Sequence, residues 1–179
     1  MKKLVLGLLF FGVSCGTPVD PLNASSDCEF DRLESGWTVT VWEGRKSLLS
    51  YWTNSKGERQ ERMSFDEDEY QAQIGFNCRN NRWPVGILFN KVPSLEGHTS
   101  DGRYNRIRLR VIVDGLAYNG VFLQSWGLAA LIPRDAEFGR ILLNSDLVVV
   151  EVPWYREGTM KFKIKTAGVK ELYDTRCGQ

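Results

Sequence analysis

Two stretches of this chain repeat with period two, and that rhythm suits only an extended backbone. In Arg106 to Val113 the cations Arg106, Arg108 and Arg110 alternate with Ile107, Leu109 and Val111. In Thr159 to Thr166 the cations Lys161, Lys163 and Lys165 alternate with Phe162 and Ile164. Successive side chains of a strand point to opposite faces, whereas a helix would spread such a pattern around its circumference. Each stretch therefore reads as a strand with one apolar face and one charged face. If the two lie in one sheet, six cations share a face that could meet the phosphates of lipid headgroups or of an anionic glycolipid. The ordinary alternative is a solvated face balanced by cross-strand acids such as Glu151.

The same period recurs elsewhere. Trp37 to Trp42 places Trp37, Val39 and Val41 on one side, and Glu43-Gly44-Arg45 turns it toward Ser47 to Thr53. Tyr70 to Arg79 aligns Ala72, Ile74, Phe76 and Cys78, and Asn80-Asn81 returns the chain through Trp83 to Val92 as a hairpin. Pro93 to Arg103 reads as a loop. Asp114-Gly115 ends the arginine strand; Leu116 to Gln124 follows, with Asn119-Gly120 as a turn or bulge inside it. Leu147 to Val152 is a buried-strand run. Helical spacing is confined to Asp135 to Asn144, with Asp135 as N-cap, and to Gly168 to Arg176, with Val169, Leu172 and Tyr173 inward. About eight strands separated by Gly, Asn and Asp turns predict a mostly β fold, an antiparallel β-sandwich or barrel-like domain with one or two short helices.

The N-terminus suggests a compartment. Met1-Lys2-Lys3 precedes an apolar run from Leu4 to Val13. Such a run makes about 15 Å of helix, half the ~30 Å hydrocarbon core of a bilayer, so it reads as a secretory signal and not as a span. Cys15, directly after it, resembles the bacterial lipobox, in which the thiol is acylated and becomes the mature N-terminus; Gly12 stands where a larger apolar residue is usual. The expected organisation is a signal peptide over 1–14, a polar tether over 15–27 and a single β-rich domain over 28–179. Cleavage before Cys15 removes Lys2 and Lys3, leaving 21 basic against 22 acidic side chains, or −1 where the full chain has +1. Net charge therefore gives no reason to expect nucleic acid as a partner. The expected location is the bacterial cell envelope, periplasmic or cell-surface, with the membrane reached through the lipid anchor.

Four cysteines, Cys15, Cys28, Cys78 and Cys177, allow three pairings if none is acylated, and acylation of Cys15 leaves an odd three. We expect Cys78 to pair with Cys177, stapling the C-terminal end onto a central strand, with Cys28 free or paired between chains. No C-x-x-C occurs, so neither a thioredoxin-like nor a zinc-ribbon motif is present.

From Tyr70 onward several pieces occur in a characteristic order. They are Ile74-Gly75-Phe76-Asn77-Cys78, Arg110-Val111-Ile112-Val113-Asp114-Gly115, Gln124-Ser125-Trp126, the segment Ile141 to Val152, and Phe162 through Gly168-Val169 to Cys177. This order resembles the VasI-like accessory proteins associated with type VI secretion, over roughly residues 70–177. The family's N-terminal cysteine pair is not matched, since Cys28 stands alone in Cys28-Glu29-Phe30-Asp31-Arg32-Leu33. The resemblance implies an exported β-rich domain, supports the Cys78–Cys177 pair, and carries over no catalytic residue.

Catalytic chemistry has little to build on. His98 is the only histidine, which rules out a multi-histidine metal site; with Ser100 and Asp101 nearby but no Gly-x-Ser-x-Gly elbow, it reads as an exposed loop residue. Asp66 to Glu69 is a run of four acids without the spacing or glycine of an EF-hand, and reads as a solvated loop. We expect no enzyme, metal or cofactor. The leading expectation is a non-enzymatic envelope protein that contacts another envelope protein or assembly, with Trp126, Leu128 and Leu131 in the apolar loop from Trp126 to Pro133 as the partner patch, or else as buried core. The alternatives are an anionic glycolipid or polyanion binder using Arg106, Arg108, Arg110, Lys161, Lys163 and Lys165, and a secreted inhibitor of a lysozyme-type hydrolase.

Overall fold

The computed structural model describes residues 28–42, 45–60, 69–78, 85–95, 99–100, 104–125 and 128–177. The described strands are β1 (Cys28–Arg32), β2 (Thr38–Trp42), β3 (Arg45–Asn54), β4 (Arg59–Gln60), β5 (Gln71–Asn77), β6 (Val85–Phe89), β7 (Thr99–Ser100), β8 (Tyr104–Val113), β9 (Leu116–Ser125), β10 (Ala130–Pro133), β11 (Leu147–Trp154) and β12 (Gly158–Lys165). Two short helices accompany them, α1 (Glu137–Leu143) and α2 (Val169–Arg176). The fold is mostly β, as the alternation predicts.

All twelve strands join one sheet, in the order β1-β2-β3-β5-β6-β10-β9-β8-β11-β12, with β4 on β3 and β7 on β8. Every pairing is antiparallel. Strand β10 is the corner: Ala130 and Leu131 pair with β6, whereas Ile132 and Pro133 pair with β9. The sheet folds there, so that β12 packs over β3 and β5. The Phe89 ring lies 5.5 Å from Phe162 and 5.6 Å from Trp154, closing the space between the two halves. The architecture is thus sandwich-like, built from a single folded sheet.

The core follows from the period. Ile107, Leu109, Val111 and Val113 of β8, Val148, Val150, Val152 and Trp154 of β11, and Phe162 and Ile164 of β12 all point inward and are buried. In α2 the inward residues are those expected: Val169 is buried, and Leu172 and Tyr173 pack against the core. Helix α1 begins two residues after Asp135, whose Oδ1 accepts the Glu137 N–H at 2.9 Å, while Ala136 is the N-cap. On β5 the alternation holds but exposure does not, since Gln71, Gln73 and Asn77 are buried along with Ala72, Ile74 and Phe76. This central strand is covered on both faces, and the second face carries a smaller cluster of Leu48 and Ala130 with Leu88 and Ile132 against it.

Two sequence expectations are corrected. Asn119-Gly120 is neither a turn nor a bulge: β9 runs through it in unbroken register with β8. Gly120 is there for a close approach, because a Cβ at that position would stand 2.9 Å from Cε2 of Phe122. The stretch after Trp126 is not a continuous loop but contains β10. Gly120→Ala must displace the buried Phe122 ring, and is expected to lower unfolding free energy by about 1–3 kcal/mol in urea titrations. An unchanged midpoint would show that the ring has room to move.

Candidate anion-binding face

Strand β11 lies between β8 and β12, which brings both cationic stretches into one sheet. Strands two apart are separated by ~10 Å, so the arginine and lysine rows flank β11 on its outer face. All six cations, Arg106, Arg108, Arg110, Lys161, Lys163 and Lys165, are exposed, while the apolar residues between them are buried.

Register decides how far the face is neutralised. Arg110, Glu151 and Lys161 are directly opposite one another across the three strands. Glu151 Oε2 lies 3.3 Å from Arg110 Nη1, and Oε1 lies 3.2 Å from Lys161 Nζ. The carboxylate is nearly enclosed, its side chain 11% exposed against 56% and 64% for its partners. The cross-strand balance expected of a solvated face is therefore present in the row of Arg110, Glu151 and Lys161. Arg108, Lys163 and Lys165 form no ion pair among the described residues.

Between the cationic rows, toward the β8–β9 turn, the outward surface is apolar. Val149 stands opposite Ile112 and Lys163, and Leu147 opposite Lys165. Ile112, Leu147 and Val149 are half-buried, so the lysine stems rise beside an aliphatic floor while their ammonium groups remain in water. The β3–β4 turn borders the face, since a Cβ on Gly57 would stand 3.3 Å from Lys163 Cβ; with φ at +82°, that position also favours glycine. At the far end Asp114 (φ +49°) and Gly115 (φ +84°) form the two-residue β8–β9 turn. Asp114 Oδ1 accepts the N–H groups of Asp146 at 3.0 Å and Leu147 at 2.8 Å, which holds the start of β11 against the hairpin.

The other sequence-selected residues fall elsewhere. Cys78 and Cys177 form a disulfide with a Cα separation of 4.7 Å, joining the end of β5 to the end of α2. Leu131 has no exposed surface and belongs to the core, so it is not available to a partner; Leu128 is half-buried, and Trp126 lies outside the described residues. Cys15, His98 and Asp66 to Asp68 also lie outside them, and Cys28 opens β1. Burial pushes the Tyr51 phenol up against an opposing effect of Arg59, and pushes the Tyr173 phenol up with a further contribution from Asp174. Both rings pack into the core side of the sheet and serve the fold.

Sequence reasoning did not single out the hairpin joining β11 to β12, where Tyr155 is half exposed beside Arg156. Gly158, a turn residue between two period-two runs, was the available signal. Fold and face together define a small antiparallel β domain that presents a cationic sheet face with an aliphatic floor. No protein-family model, curated protein or solved structure matches the chain.

Proposed function

We propose that this chain is a non-enzymatic, exported domain of the bacterial cell envelope that binds the phosphates of anionic lipid or glycolipid through the outer face of β8, β11 and β12. The observation that carries the reading is the arrangement of six exposed cations on one sheet face, where Glu151 pairs with Arg110 and Lys161 while Arg108, Lys163 and Lys165 form no ion pair among the described residues. Acylation at Cys15 and the tether over 15–27 would hold the domain where such phosphates are concentrated. The N-terminal lipobox resemblance and the order shared with VasI-like proteins both favour export, and neither supplies a reaction.

Contact with an envelope protein through Trp126, Leu128 and Leu131 is less well supported, because Leu131 is enclosed. Charge, in contrast, is available where the strand pattern places it. Each Lys or Arg near an anionic membrane contributes about 1 kcal/mol, so Arg108→Glu with Lys163→Glu is expected to weaken binding to phosphatidylglycerol-containing vesicles about thirtyfold or more at low salt. Both positions are exposed, and the variant should keep its unfolding free energy within about 0.5 kcal/mol of the parent. A folded double variant that binds as tightly as the parent would refute the assignment.

A further inference from the structure

The face ends at a hairpin tip whose chemistry differs from that of the face itself. Glu157 N–H donates to the Trp154 carbonyl at 3.1 Å, closing a turn over 154–157. Its third residue, Arg156, has φ at +66°, a left-handed conformation that such turns usually assign to glycine or asparagine. The Arg156 guanidinium lies over the Tyr155 ring, 5.1 Å from its centroid. Trp154 points inward and is buried, and Tyr155, the first turn residue after it, is exposed. The tip has a firm base: Trp154 packs edge-on against Tyr70 at 5.0 Å and Phe89 at 5.6 Å.

A second segment runs alongside. Leu95 bridges to Trp154, and Tyr155 N–H donates to the Ser94 carbonyl at 2.7 Å. This brings the chain around Val92 to the same end of the sheet. Val92 and Tyr155 are 51% and 50% exposed, unusually so for large apolar side chains in a domain whose other described hydrophobics are mostly covered. Lys91 Nζ lies 4.3 Å from the Tyr70 ring centroid nearby, and Arg106 and Arg108 occupy the half of β8 nearest this end. Among the described residues the other exposed large hydrophobics, Leu116 and Tyr118, lie toward the opposite end, near the acids Asp114 and Asp146.

We propose that the β11–β12 tip, with Val92 beside it, enters the headgroup region of a bilayer, so that the anionic surface met by the face is a lipid membrane and not a soluble polyanion. The inference rests on the face reading above. A phenol stacked with a guanidinium next to an aliphatic side chain is the chemistry of a membrane interface, where an apolar body is buried and a polar end stays wet. A soluble polyanion would use the cations but would gain nothing from Val92 and Tyr155. At the opposite end the acids Asp114 and Asp146 and the cation Lys165 surround the apolar exposure, whereas Lys91, Arg106, Arg108 and Arg156 gather toward the tip against the acid Glu157; that difference in local charge favours docking by the tip.

The test compares the parent chain, Tyr155→Ser with Val92→Ser, and Arg108→Glu with Lys163→Glu, each against phosphatidylglycerol-containing vesicles and against soluble polyphosphate. Loss of the two apolar contacts is expected to weaken vesicle binding roughly tenfold and to leave polyphosphate binding unchanged. Charge reversal should weaken both. Equal vesicle affinity for Tyr155→Ser/Val92→Ser and parent, with charge reversal still harmful, overturns the tip alone. Charge reversal without effect on either probe overturns the face. Arg156→Gly adds a readout that a purely structural role would not produce: relief of the left-handed backbone should raise the unfolding temperature while vesicle binding weakens. A stabilised variant with undiminished vesicle affinity would count against the tip.

Discussion

Cys177→Ser is expected to remove about 4–5 kcal/mol of stability, the chain-entropy value for a closed loop near one hundred residues. The bond joins positions 99 apart in the sequence, so it restricts the unfolded chain over more than half its length. It also pins the end of α2, which contributes the buried Val169 and the packed Leu172 and Tyr173, to the end of β5. The remaining ties of that helix are modest: the Tyr173 hydroxyl donates to the Asn77 carbonyl at 3.3 Å, and the Tyr173 ring meets Phe76 edge-on at 6.1 Å. Reductant should therefore lower the urea midpoint of the parent chain and leave a Cys78→Ser/Cys177→Ser variant nearly unaffected. A parent whose midpoint ignores reductant would show that the bond does not carry this stability.

Phe162→Ala should cost about 3–5 kcal/mol, in the range for emptying a fully enclosed aromatic site. Phe162 has no exposed surface and sits on β12 facing the half of the sheet that contains β3 and β5, with Phe89 at 5.5 Å. Among the described strands the two halves of the folded sheet are joined in strand pairing through the corner strand β10, so across most of the interface side-chain packing must hold them together. The neighbouring Lys163→Ala, on the opposite parity of the same strand, should lie within about 0.5 kcal/mol of the parent. Urea unfolding of the pair tests the assignment of the two faces: comparable losses at 162 and 163 would mean that the strand does not separate core from solvent.

Much of this architecture was legible because β8 and β12 bury one face only. From Arg106 to Val113 and from Met160 to Lys165 the inward residues are apolar and most outward ones are cations, so a run of six to eight letters specifies both conformation and facing. The short strands β1, β4, β7 and β10 escaped, being two to five residues long and unable to show a period. Their existence depends on the neighbours that receive their hydrogen bonds, as with β10, which spans the corner between β6 and β9. Gly120 misled for a related reason: beside Asn119 it resembles a turn, yet what requires it is the ring of Phe122 two residues later on the same face. The candidate site was legible as two rows of cations, but not as one face, because nothing in either stretch tells that β11 lies between them. Glu151 was named as a balancing acid from its place in the third strand; that it serves Arg110 and Lys161 together depends on a register only the folded sheet sets. The Tyr155–Arg156 tip was hidden because a left-handed arginine leaves no mark in a sequence.

The central claim is that the outer face of β8, β11 and β12 works by its charge. Its most direct measurement is a titration of the intact chain onto phosphatidylglycerol-containing vesicles, repeated from about 0.01 M salt, where the screening length is ~30 Å, to about 1 M, where it is ~3 Å. The account predicts an affinity that falls steeply and continuously as screening shortens, with only the weak contribution of the hairpin tip surviving at the highest salt. An affinity that stays constant across that range, or binding that is equally tight on vesicles of zwitterionic lipid, would contradict it.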